Sequence, residues 1–258
     1  MKRVSTAAGI GVLLLLAGCG GGSEDTSSEE PSSESSESSE EATAFAESSA
    51  EDITTAAEED MKAVESLRMA GSITSGGQEI SVDVGLSTAG DCEGNLTLGE
   101  EAGFEILSVE GQTWIKPSAA FWEQVAGPAA SEVAEKAGDK WVSFPADQAS
   151  QFASICDLDG LLDELDSSDS NEKMEVEGTE EIDGEEAVVV NTTSKDGETV
   201  NGWVATSDPH YILQLEVSEG DEPGTLTFSD FDVDLALEPP AEDEIVDLAS
   251  LAPSGATG

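Results

Sequence analysis

Phe104-Glu105-Ile106-Leu107-Ser108-Val109-Glu110-Gly111-Gln112-Thr113-Trp114-Ile115-Lys116 reads as two β-strands joined by the turn Glu110-Gly111. β-Branched and aromatic residues favour the pleated surface of a strand. A two-residue connection forces the flanking strands to run antiparallel. The stretch therefore predicts an antiparallel hairpin, and the chain around it is read outward from there.

Upstream, Gly94 to Leu98 makes another short strand. Before it Ile80, Val82, Val84 and Leu86 alternate with polar or small residues, behind a Gly76-Gly77 turn that closes a first strand over Met69 to Thr74. Turn signals every 8–12 residues predict a meander. Ahead of these strands the apolar period changes to that of a helix, with Ile53, Ala57, Met61, Val64 and Leu67 on one face. Ser48 and Glu51 are its candidate capping box.

Downstream the character changes. Ser118 to Val125, Ala129 to Ala137, Asp147 to Ile155 and Leu158 to Leu165 read as short helices, broken by Gly127-Pro128, Gly138 and Pro145. A polar loop over Asp166 to Asn171 closes this insert. A second meander follows in Met174 to Gly178, Ala187 to Thr192, Val200 to Ala205, Ile212 to Val217 and Leu226 to Val233, and Pro239-Pro240 ends it. Helices set apart from an antiparallel sheet define an α+β domain.

Six large apolar residues of the central hairpin and the helix after it are expected to converge. Phe104 and Ile106 share one strand face, Trp114 lies on the hairpin partner, and Phe121, Trp122 and Val125 share one side of the helix. They form either a solid core or the wall of an apolar pocket.

The first residues describe export. Lys2 and Arg3 precede an apolar run from Ala7 to Leu16, too short to cross a bilayer core of about 30 Å, and Leu16-Ala17-Gly18-Cys19 follows. The tetrapeptide resembles the bacterial lipobox, in which the cysteine is acylated and becomes the first residue. Residues 1–18 are thus expected to be a lipoprotein signal peptide, with Cys19 the lipidation site. No other stretch approaches 18 apolar residues, so the acyl chains are the expected attachment to the outer face of the cell membrane. Residues 19–50 then form the tether, with three glycines, Ser-Glu repeats and eleven acids between Glu24 and Asp52. Such a composition cannot bury a core. One domain is expected over 51–250, with a tail over 251–258.

The chain has 57 acidic and 9 basic residues in 258, and removal of Lys2 and Arg3 leaves a net charge near −50. That charge repels nucleic acid, which is excluded as a partner. In an oxidising compartment Cys92 and Cys156 are the remaining pair, and a disulfide is the expected state.

Little here suggests catalysis. His210 is the sole histidine and sits in a turn, Asp208-Pro209-His210-Tyr211. There is no Gly-x-Ser-x-Gly elbow, phosphate loop or dinucleotide fingerprint. Asp157-Leu158-Asp159-Gly160 lacks the ligand spacing of a calcium loop. No enzyme, cofactor or metal site is expected.

Three stretches carry a family resemblance. The first is a helix ending in Ser66-Leu67-Arg68, followed by Gly-punctuated strands and Asp91-Cys92-Glu93-Gly94-Asn95-Leu96. The second runs from Ile106 to Lys116 and on to Phe121-Trp122. The third is Gly202-Trp203-Val204-Ala205 with Pro209, then Thr227-Phe228-Ser229-Asp230-Phe231 and Glu238-Pro239-Pro240. Together they resemble the actinobacterial lipoproteins of the LppX/LprA/LprF/LprG group, themselves similar to the LolA and LolB lipoprotein carriers. The resemblance implies a half-barrel of about ten or eleven antiparallel strands whose concave face is plugged by helices. It also implies that acyl chains of a lipid or lipoprotein lie between sheet and helices. Two departures stand out: this chain is far more acidic, and a Cys92–Cys156 bond would pin the helical insert to the sheet. The alternative is a surface interaction or sensory lipoprotein with a filled core.

Overall fold

The computed structural model describes residues 41–99, 101–165, 173–195, 197–220 and 222–252. Cys19, the signal peptide, most of the tether, the loop Asp166 to Asn171 and nearly all of the tail lie outside the described residues.

Residues 41–46 are helical (α1). Folded structure therefore reaches back ten residues before the expected domain start. Helix α2, Ala50–Met61, is capped by Ser49, whose Oγ accepts from the Asp52 N–H (3.2 Å) and donates to Asp52 Oδ2 (2.6 Å). The cap lies one residue beyond the expected Ser48, which instead closes α1 with its N–H on Phe45 O. Helix α2 also stops earlier than the 3–4 spacing implies. Val64 sits in the connection and Leu67 already belongs to a strand, yet both are buried under the same cluster.

The strands are β1 (Ser66–Ser75), β2 (Gln78–Ser87), β3 (Cys92–Leu98), β4 (Ala102–Val109), β5 (Gln112–Pro117) and β6 (Trp141–Ser143). The second half contributes β7 (Lys173–Ile182), β8 (Glu185–Thr193), β9 (Thr199–Ala205), β10 (Ile212–Glu219), β11 (Gly224–Ser229) and β12 (Ile245–Asp247). Between β5 and β7 come α3 (Ala119–Ala126), α4 (Ala130–Ala137), α5 (Ala146–Ala153) and α6 (Leu158–Leu165), and α7 (Leu248–Leu251) follows β12.

All twelve strands join one open, curved sheet in the order β12-β6-β5-β4-β3-β2-β1-β11-β10-β9-β8-β7. The two expected meanders are its two halves, joined where β1 pairs with β11, for example Met69 with Phe228. Two features differ from expectation. The sheet has twelve strands, and it is mixed, because β12 pairs parallel to β6. Those two strands are three residues each, too short to show a period, and they exist by pairing at the edge. The last long strand also stops at Ser229 and not Val233, because Asp230 and Asp232 adopt positive φ (50° and 57°) and turn the chain away.

Register fixes which side chains face the helices. Leu96, Val82, Gly71, Leu226, Leu215, Gly202 and Val190 form one row across β3, β2, β1, β11, β10, β9 and β8. This concave face meets α2 and α6. Close approach of neighbouring strands leaves no room for side chains at several points of it, Gly71, Gly94 and Gly224 among them. A Cβ on Gly71 would strike the Thr225 carbonyl, and one on Gly94 the Asp83 carbonyl.

The opposite, convex face is crossed by the chain between β11 and β12. Asp232 accepts from the Glu65 N–H (2.8 Å), Ser66 Oγ donates to Val233 O (2.7 Å), and Leu235 lies over Gly85. Leu237 then packs with Leu107, Trp114 and Trp141.

Candidate functional site

Two apolar cavities lie between the concave face and the helices. The smaller, of about 270 Å³, has Val190, Val200, Gly202 and Leu215 of the sheet as its floor, with Ala57 of α2 and Leu165 of α6 opposite. The larger, of about 450 Å³, lies over Met69, Ile73, Ile80, Val82 and Leu226, beneath Leu161 of α6. They adjoin. Glu164 lines both, and Leu215 and Leu226, one in each wall, are cross-strand partners. The period-two rule explains the floor, since every second residue of adjacent strands points to the same side. Helix α6 presents Leu161 and Leu165 one turn apart, so a single helix roofs both spaces.

Helix α6 is itself held by a covalent pin. Cys156, two residues ahead of it, is bonded to Cys92 of β3, with Cα atoms 5.4 Å apart, and both are buried. The expected disulfide is thus present in the structure.

The six aromatic and aliphatic residues expected to converge do so only in part. Phe104 and Ile106 face the main concave cluster, and Phe121 packs there with its ring 5.4 Å from that of Phe104, edge to face. Trp122 reaches Phe121 (6.0 Å between rings) but lies in a second cluster with Val133, Ala137, Val142 and Leu251. Trp114 is on the other face of the sheet. It pairs with Leu107, whereas Ile106 pairs with Ile115. The two-residue turn dictates this: Val109 opposes Gln112, so Leu107 opposes Trp114, and adjacent residues point to opposite faces. Ile115, and not Trp114, is the residue on the Ile106 side. Val125 is 59 % exposed and turns away from the cluster. None of the six lines either apolar cavity; Ile106 borders a polar cleft on the convex face, and Phe104 one beside the start of α3.

The residues that do line the apolar cavities come from strands already legible in the sequence. Ile80 and Val82 belong to the clearest alternating run in the chain, and Val200, Gly202 and Leu215 to the second meander. The missing signal was the β1–β11 pairing, which is long-range and puts both runs on one concave surface.

Polar groups near these cavities are acidic or neutral. Glu58, Glu164 and Glu198 line the smaller one, and Asp157 and Glu164 the larger. Among the described residues no group of three or more His, Cys, Asp or Glu is placed to hold a metal, and no helix is long and apolar enough to cross a membrane.

No family model matches the sequence, and no curated protein does either. Solved structures do. LprF from Mycobacterium bovis superposes with a TM-score of 0.54 at 17% identity, over 74% of this chain and 97% of that one. The Mycobacterium tuberculosis lipoprotein LppX gives 0.49 at 16% identity, over 76% and 99%. With its twelve-stranded curved sheet closed on one side by helices, the chain has the LprF-type fold.

Proposed function

We propose that the protein is an envelope lipoprotein, anchored through Cys19 at the outer face of the membrane, that binds or carries acyl lipid or an acylated protein in the groove between its sheet and α2/α6. The observation that carries this reading is the pair of adjoining apolar cavities meeting at Leu215 and Leu226. Each buried methylene stabilises a complex by about 0.8 kcal/mol, so a groove of this size offsets the cost of moving an acyl chain through water. The tether would hold the groove clear of the bilayer while the anchor limits diffusion to the envelope.

Gly202 supplies the test. A Cβ there would meet Leu215 Cδ2 at 3.5 Å, an ordinary contact, so a side chain at this position grows into the smaller cavity without striking backbone. Gly202→Val is expected to lower uptake of a fluorescent fatty-acyl probe several-fold while unfolding in urea stays near that of the parent. Native mass spectrometry of the purified domain, before and after organic extraction, should show a lipid-sized mass that disappears. A protein that carries no lipid and takes up no probe is a filled scaffold, and the carrier reading fails. Replacement of Cys19 by Ala should release the full chain from the membrane fraction; retention there would refute the anchor.

A further inference from the structure

We infer that the convex face of the sheet binds a segment of uncharged glycan, at a site separate from the apolar groove and independent of how that groove is read. Two polar clefts adjoin there. One, of about 550 Å³, lies between the strands and the crossing chain, with Arg68, Glu93 and Trp141 on the sheet side and residues 235–238 as its wall. The other, of about 320 Å³, runs on towards Ser118 at the start of α3 and Asp139 just past α4. Asn95 and Glu105 line both, so the two make one trough.

Strand register builds the floor. Asp83 pairs with Asn95, Asn95 with Glu105 and Glu105 with Lys116. Four polar side chains thus stand in a row across β2, β3, β4 and β5, about 4.8 Å apart from strand to strand. Glu93, Asn95 and Glu105 are exposed and open to a ligand. The wall is fixed beforehand, because Leu235 fills the space over Gly85 and Leu237 packs on Leu107 and Trp141.

The chemistry of this lining selects among ligands. Its bases are already engaged: Arg68 lies 2.6 Å from Asp83, and Lys116 lies 3.7 Å from Glu105 and 5.6 Å from the centre of the Trp141 ring. An anion would have to break those pairs and would face Glu93 and Glu238 besides. A cation would meet Arg68 and Lys116. A peptide binds by adding to a strand edge or by filling side-chain pockets. Here the floor is the face of the sheet, and β3 and β4 are paired on both sides. A sugar hydroxyl both donates and accepts, which suits a row of carboxylate, amide and guanidinium groups. The C–H faces of the same sugar suit the apolar surface of Leu107, Leu237 and Trp141.

The experiment titrates the full chain calorimetrically with four neutral tetrasaccharides: cellotetraose, maltotetraose, mannotetraose and chitotetraose. Tetragalacturonate and the chitosan tetramer serve as anionic and cationic counterparts of equal length. At least one neutral tetramer is expected to bind with a Kd of about 1 mM or tighter, and both charged ones severalfold more weakly. Asn95→Ala/Glu105→Gln, at two exposed positions common to both clefts, should weaken the neutral ligand about tenfold while urea unfolding stays near that of the parent. Gly202→Val, in the apolar groove, should leave glycan binding unchanged, and Asn95→Ala/Glu105→Gln should leave acyl-probe uptake unchanged. The two sites therefore stand or fall separately. Absence of binding by every neutral tetramer at about 10 mM overturns the inference. So does a charged tetramer, or a Gly-Ser peptide of equal length, that binds as tightly as the best neutral one. Undiminished binding by Asn95→Ala/Glu105→Gln overturns it as well, since the ligand would then sit elsewhere.

Discussion

The rings of Phe45 and His210 stack face to face, with centroids 3.6 Å apart and planes within 1°. Phe45 belongs to α1, where the acidic tether meets the domain, and His210 lies 165 residues later in the turn before β10. His210 is fixed from two further directions. Its backbone N–H donates to Asp60 Oδ2 (2.7 Å), and its Nδ1 lies 3.0 Å from Ala205 O. A carbonyl only accepts, so Nδ1 carries the hydrogen. The stack thus seats the last part of the tether on the β8–β10 half of the sheet. Phe45→Ala should cost about 1 kcal/mol or somewhat more in urea unfolding, and should speed proteolytic cleavage between residues 41 and 49. Cleavage no faster than in the parent would mean that α1 is held by other contacts.

Tyr211, next in the chain, is the only tyrosine, which makes its titration readable. Burial, then the hydrogen bond from its hydroxyl to Asp232 Oδ2 (2.9 Å) and the negative charge there, push its pKa up to about 12 from the usual 10. Tyrosinate absorbance near 295 nm should therefore rise with a midpoint close to 12 in the folded protein and close to 10 in urea. The sign for stability follows. The folded state holds the proton more tightly, so this contribution is intact below pH 10 and is lost as pH rises from 10 to 12. Asp232→Asn should move the folded midpoint down; a parent midpoint near 10 contradicts the assignment.

These cases show which levels of the fold the sequence carries plainly. Local order was legible, because each hairpin advertises itself through alternation and a turn, as at Glu110-Gly111. Ala130 to Ala137 and Leu158 to Leu165 were legible as helices for the same reason, their stripes lying between breakers. Face assignment was only half read. Ile106 and Trp114 look equivalent as large apolar strand residues, and only counting register through the turn separates them. The β1–β11 and β6–β12 pairings had no local signature, since partners about 160 and 100 residues apart are chosen by the whole sheet. His210 reads as a plain turn residue until Phe45 is brought to it.

The Cys92–Cys156 bond spans 64 residues and joins β3 to the segment entering α6. In the chain-entropy treatment a loop of that size contributes on the order of 4 kcal/mol. Cys92→Ala/Cys156→Ala should lose stability of that order and loosen α6, the roof of both cavities. Hydrogen exchange over Leu158–Leu165 is expected to quicken more than exchange over β8 and β9. Thiol labelling of the denatured, unreduced domain should find neither cysteine; labelling of both would remove the bond from the account.

Trp122 separates core from ligand wall. It is 5 % exposed, packs with Ala130, Val133, Ala137, Val142 and Leu251, and lines neither apolar cavity. Trp122→Ala should therefore cost about 3–5 kcal/mol of stability and leave acyl-probe uptake by the folded fraction unchanged. Its indole nitrogen is buried with no hydrogen-bond partner among the described residues. An unpaired donor of that kind carries a desolvation cost of about 1–3 kcal/mol, which phenylalanine does not have. Trp122→Phe keeps most of the ring, loses some packing and relieves that cost. It should end within about 1 kcal/mol of the parent, far from the alanine variant. Denaturant unfolding of both variants, read with probe uptake, decides the point. If Trp122→Ala barely changes stability and instead abolishes uptake, the residue is part of the binding wall, and the ligand space extends beyond α6 into the cluster around α3 and α4.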